Sequence, residues 1–139
     1  MLPNMTTARA HRPDPIPFTD EHGRRCLRVP LDRHGLRHAV IDEASYRAAI
    51  ASGISTTWAY NGNGSGHSYV RSWKLPQQRS SNLVQVARVI TGAGRGEVIG
   101  YANGDRLDLR PENLERRRGR AKRRDIDLVR ARTPLRTDP

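Results

Sequence analysis

The stretch Val98-Ile99-Gly100-Tyr101-Ala102-Asn103-Gly104-Asp105-Arg106-Leu107-Asp108-Leu109-Arg110-Pro111-Glu112-Asn113-Leu114 constrains the fold more than any other part of the chain. Val98 to Tyr101 is an apolar run of strand length, and Asn103-Gly104 accepts the positive φ of a tight hairpin turn. Leu107 and Leu109 alternate with polar Asp108, the pattern of a returning strand. Pro111 suits the first turn of a helix, where its missing N–H costs nothing. The segment therefore predicts a short hairpin running straight into a helix. Asn103, Asp105, Asp108 and Asn113 are more short polar side chains than a plain hairpin needs. Such residues tie a turn together by bonding back to its own backbone.

The string Asn-Gly-Asp-x-x-Asp-x-Arg-Pro-Glu-Asn-Leu, here Asn103 to Leu114, resembles the core of the HNH endonucleases of phages and mobile elements, the ββα-metal nucleases. The resemblance covers about residues 25–122 and is strongest from Val86 to Leu114. Val86 to Gly96 matches the helix and Gly-rich connection that family members carry upstream. The resemblance implies a metal ligand and a general-base His immediately before the turn, but those places hold Gly100 and Tyr101. A second ligand is expected nine residues past Asn113, where Lys122 stands, and the His of an upstream His-Arg pair is Ala87. Glycine offers no oxygen to a hard cation, lysine brings a positive charge, and tyrosine, with an ordinary pKa of roughly 10, is a poor base near neutrality. The expectation is a nuclease scaffold that no longer cuts. No catalytic residue is then expected, nor any resident metal.

Net charge sharpens the choice of partner. The chain has 139 residues, room for one domain, and carries 25 basic against 14 acidic residues for a net charge of +11. A surplus of this size favours a polyanion. Only Lys74 and Lys122 of the basic residues are lysine, and the arginine fork suits phosphates and guanine edges. Seven basic residues and no acidic one lie between Arg116 and Arg124. In the ββα-metal nucleases the corresponding helix lies against the DNA backbone. A hydrophobic fraction of 35%, with nine Pro and twelve Gly, predicts a small core. The lone Cys26 excludes a disulfide within one chain and fits a reducing cytoplasm. No run of 18 apolar residues and no signal-peptide pattern is present, so a cytoplasmic, nucleoid-associated protein is expected.

Along the chain, residues 1–24 are polar and Pro-punctuated and are expected to form a flexible arm, inert or laid along DNA. Residues 25–80 are expected to form a small α/β region. Cys26 to Leu31 and His38 to Ile41 pair as strands, and a helix capped by Asp42 presents Tyr46, Ala49 and Ile50 before stopping at Gly53. His34 and His38 have the spacing of a helical metal pair, but Gly35 and the strand pattern point to exposed histidines. Two aromatic strands, Thr56 to Tyr60 and His67 to Trp73, flank the loop 61–66. Alternation sets His67, Tyr69, Arg71 and Trp73 on one face and Val70 on the other, with the aromatics either as core beside a solvated arginine or as a DNA contact. Residues 81–124 are expected to form the degenerate module: a helix over about 82–91 capped by Ser81, the hairpin, and the basic helix. Arg88 is expected off the apolar face of the first helix, free to meet phosphate. Gly92 to Gly96 lacks the Lys-Ser/Thr of a phosphate-binding loop. Residues 125–139 read as a tail.

The sequence thus predicts an α+β fold: a small antiparallel sheet with short helices plus a ββα-metal hairpin-helix element. The first functional expectation is a regulator or inhibitor that binds double-stranded DNA through Arg71, Lys74, Arg88, Arg116, Arg117, Arg118, Arg120, Lys122, Arg123 and Arg124. A second is an active endonuclease in which Asp105, Asp108 or His67 holds Mg²⁺ or Mn²⁺. A third is a module whose basic face meets an acidic host protein.

Overall fold

The computed structural model describes residues 12–62, 68–76 and 79–119. They build three small antiparallel sheets and two short helices, an α+β architecture. The first sheet has the order β1 (Ile16–Thr19), β2 (Arg25–Pro30), β3 (His38–Asp42). Helix α1 (Glu43–Ala51) follows directly. Asp42 caps it by accepting from the Ser45 N–H at 3.0 Å, and Gly53, at φ +104°, lets the chain turn away just past its end. The second sheet has the order β4 (Ala59–Asn61), β5 (Tyr69–Trp73), β6 (Leu83–Gln85), and β6 runs into α2 (Val86–Thr91). The third is a two-stranded pair, β7 (Glu97–Tyr101) with β8 (Leu114–Arg118), in a register running from Glu97↔Arg118 to Tyr101↔Leu114.

One core joins all three sheets. Val29 and Leu27 of β2, Ala39 and Ile41 of β3, Ala49 of α1, Val70 of β5, Val86 and Ala87 of α2, Leu109 and Leu114 are buried together around Trp58. Trp58 is the largest fully buried side chain. Its ring lies 5.4 Å from that of Tyr46, and its indole N–H donates to the Ser55 carbonyl at 3.0 Å, so the one polar atom of the ring is satisfied.

Four expectations are corrected. Residues 12–24 are not an arm: Ile16–Thr19 pair with Arg25–Arg28, Arg28 lies 4.0 Å above the Phe18 ring, and Arg12 donates to the carbonyls of Pro30 and Trp58. Polar composition hid a strand whose partner immediately follows it. Leu83–Gln85 are a strand on β5 rather than the first turn of a helix, and α2 begins at Val86 with no side-chain cap. A short run with apolar residues at i, i+1 and i+3 fits either period, and pairing with Ser72 and Trp73 decides it. Leu107 to Leu109 do not return along β7. They run parallel to β3, with the Val40 N–H donating to the Leu107 carbonyl at 2.8 Å and the Leu109 N–H to the Val40 carbonyl at 2.7 Å. Finally, Pro111 opens a single 3-10 turn, Pro111–Asn113, and not a helix; Leu114 is captured by pairing with Tyr101. Arg116, Arg117 and Arg118 therefore stand on a strand. Residues 120–124, the rest of the expected basic helix, lie outside the described residues.

Replacing Trp58 with alanine should cost about 3–5 kcal/mol of unfolding free energy, as for other large core truncations, measured by urea titration of the full chain; a loss below about 1 kcal/mol would mean that the core is not built around this ring.

Candidate nucleic-acid interface

The turn between β7 and β8 is a closed knot of side chains. The Asn103 N–H donates to Asn113 Oδ1 at 2.8 Å, and Asn103 Oδ1 accepts from the Asp105 N–H at 2.8 Å. Asp105 Oδ1 accepts from the Leu107 N–H at 2.9 Å. Asn113 Nδ2 donates to the Asp108 carbonyl at 2.9 Å, and Asn103 Nδ2 to Asp108 Oδ2 at 3.1 Å. All four residues singled out in the sequence thus bond to one another or to the backbone they enclose.

Sequence reasoning missed Arg110. Its Nε and Nη2 grip the two oxygens of Asp108 at 2.9 and 2.8 Å, and its Nη1 donates to Asp20 Oδ2 at 3.1 Å and to Glu21 Oε1 at 2.9 Å. Arg24 extends the network, donating to Asp20 at 3.0 Å and to Glu112 at 2.5 Å. Burial alone would push the Asp108 carboxyl up, but hydrogen bonds from Arg110 and Asn103 hold it below the ordinary carboxylate range. Asp20 is also desolvated, yet the N–H groups of Arg24 and His22 and the two guanidinia hold it well below that range. The Arg24 hydrogen bond lowers Glu112 in the same way. A pair such as Asp108–Arg110 can be suspected from its i, i+2 spacing. The contribution of Asp20 and Glu21, some ninety residues earlier, leaves no local signal.

The positions where the resemblance implies chemistry do not fit it. A Cβ on Gly100 would lie 2.9 Å from Nη2 of Arg117, so the place of the first ligand faces a guanidinium. Tyr101 is half-buried, and its hydroxyl accepts from Gln85 Nε2 at 3.3 Å; burial raises its pKa further from any role as a base. Asp108 already accepts from four donors, two from Arg110 side-chain nitrogens, one from the Arg110 N–H and one from Asn103. Asp105 is held by the Leu107 N–H. Among the described residues, no group of three or more His, Cys, Asp or Glu side chains is placed to hold a metal ion. His67 and Lys122 lie outside the described residues.

The basic candidates separate into held and available groups. Arg88 is corrected: it is not free, because it donates to the Glu97 carbonyl at 2.7 Å and the Gly94 carbonyl at 2.5 Å and so pins the Gly-rich loop. Arg116 donates to the Thr91 carbonyl at 3.0 Å and lies 3.6 Å from Glu97. Arg117 pairs with Glu115 on the same strand face, at 2.5 Å. Arg118 and Lys74 are exposed. Arg71 is half-buried, 5.9 Å from the centroid of Trp73. Arg120, Lys122, Arg123 and Arg124 lie outside the described residues. Among the described residues, no helix is long and apolar enough to cross a membrane.

No family model, no curated protein and no solved structure matches this chain.

Two outcomes follow for the knot. Asn113→Ala leaves the Asn103 N–H and the Asp108 carbonyl unpaired and should cost about 2–4 kcal/mol in urea unfolding, whereas a neutral effect would show the turn to be held by other contacts. Because Asp20, Asp108 and Glu112 titrate lower in the folded chain than in the unfolded one, their contribution is complete above the ordinary carboxylate range, near pH 4, and disappears as pH falls through the folded values. The thermal midpoint should hold between pH 7 and pH 5 and fall steeply below pH 4. Arg110→Gln should flatten that fall; an unchanged acid profile in this variant would remove the network from the account.

Proposed function

We propose that this chain is a DNA-binding protein on an HNH-like scaffold that has lost its cutting chemistry, acting as a regulator or inhibitor in a phage or mobile-element setting. The observation that carries the reading is a coincidence within one hairpin. The Asn103–Asp105–Asp108–Asn113 knot ties the turn to its own backbone, while the adjoining position 100 is a glycine beneath the Arg117 guanidinium. A scaffold kept to hold a metal would place an oxygen donor there, and a cationic neighbour would disfavour the ion. The net charge of +11 and the basic run from Arg116 to Arg124 supply the alternative use, neutralising phosphates and releasing their counterions. A cytoplasmic, nucleoid-associated location follows from the same reading.

Mobility shifts on duplex DNA at two salt concentrations test the proposal. Binding should weaken sharply with salt, each neutralised phosphate adding about 0.9 to the slope of log affinity against log salt. Replacing Arg116, Arg117, Arg118, Arg120, Lys122, Arg123 and Arg124 with alanine should remove most of that slope. Supercoiled plasmid incubated with Mg²⁺ or Mn²⁺ should remain uncut. Nicking that Tyr101→Phe abolishes would restore the enzyme, and failure to shift any DNA would favour an acidic protein as the partner.

A further inference from the structure

The outer face of the second sheet, β4–β5–β6, carries arginine beside aromatic rings. Val70 and Ser72 of β5 turn inward and are buried, which leaves Tyr69, Arg71 and Trp73 together on the opposite face, each half-buried. Gln85 of β6 stands across from Arg71, and its amide bonds the Tyr101 hydroxyl at 3.3 Å, so the face continues onto β7. Arg106 lies 5.2 Å from the Tyr101 ring centroid and donates to the Ser68 carbonyl at 3.2 Å, beside the start of β5. Two arginines, each against an aromatic ring, are thus linked into one surface.

Charge marks this surface as well. From Ala44 to Gly96 the chain contains no Asp or Glu, although it carries five arginines and a lysine. The first acid after that span, Glu97, is already taken by the Gly94 N–H and Arg116. The Arg71 guanidinium has no hydrogen bond or ion pair among the described residues, and its buried Nε–H meets no acceptor. An unsatisfied buried donor is costly in a protein that only needs to fold. A guanidinium resting on a ring still offers its other N–H groups to phosphate oxygens.

We infer that this face binds single-stranded nucleic acid, with bases stacking on Trp73 and Tyr69 while Arg71 and Arg106 meet the phosphates. The inference rests on the nucleic-acid reading above and names the form of the ligand. A duplex buries its base faces, so half-exposed rings beside arginines gain little from it. An unpaired strand presents both the faces to stack and the phosphates to neutralise.

The test uses the full chain with labelled oligothymidylate and, separately, a duplex. Trp58 is fully buried and Trp73 is not, so quenching of intrinsic fluorescence on binding should come from Trp73. Trp73→Phe should keep most of the affinity but lose the quenching. Trp73→Leu should weaken oligothymidylate binding by roughly 5- to 150-fold, the worth of one lost stack, and leave duplex binding by the basic run unchanged. Arg71→Gln should lower the salt slope for the single strand by about 0.7. Buried Trp58 emission and circular dichroism confirm that each variant is folded. Duplex binding without any preference for the single strand, or a folded Trp73→Leu variant that binds oligothymidylate normally, would overturn the inference and leave the DNA-binding proposal standing. Absence of binding to either nucleic acid would overturn both.

Discussion

The Asp108 carboxylate is the interaction on which the rest of this structure depends. It is buried, accepts from four donors, and belongs to a segment that pairs with β3 on one side and closes the β7–β8 hairpin on the other. Arg110 passes the same constraint to Asp20 and Glu21, and through Asp20 to Arg24 and Glu112. The N-terminal strand, the first sheet and the hairpin are therefore joined by charge-assisted bonds where a small core has few apolar contacts to spare. A buried charge pair contributes little net stability when complete, but removing one partner leaves the other desolvated and alone. That asymmetry makes the network sensitive to the loss of either partner.

The same network has a consequence at the surface. Many of the acids in the described residues are spent on arginines or on backbone N–H groups: Asp20, Glu43, Asp108, Glu112 and Glu115 all sit in ion pairs. They lie in the β1–β2 turn, at the start of α1, between β7 and β8, and on β8, and none lies on the second sheet. Folding in this way separates charge. Acids hold the scaffold together, while Arg71, Lys74 and Arg118 keep no acidic partner among the described residues. A basic surface of this kind is a product of the topology as much as of composition.

Local chemistry explains which parts were legible in the sequence. The Asp42 cap, the Gly53 and Gly92 stops, the β2–β3 pair and the alternation of β5 all rest on neighbours within a few residues, and each stands where the pattern put it. The turn residues Asn103, Asp105, Asp108 and Asn113 were also readable, because side chains that bond back to nearby backbone leave a dense local signature. What was not legible depended on distant partners. Leu107 to Leu109 carry the alternation of a returning strand but are captured by β3. Leu114 to Arg118 carry helix-forming residues but are claimed by β7. Arg88 was expected to be free because the carbonyls it binds lie beyond its own helix, one in the loop and one at the start of β7. Propensity lost to tertiary pairing in each case.

The central proposal is that the β7–β8 hairpin offers no seat for a metal and that its basic surroundings hold nucleic acid. Amide resonances followed by NMR during titration with Mn²⁺ in the presence of DNA test both halves at once. The account predicts DNA-dependent shifts on β5 and β8, with no selective paramagnetic broadening of Gly100, Tyr101 or Asp108. Broadening centred on those three residues, at Mn²⁺ levels that leave the rest of the chain sharp, would contradict it.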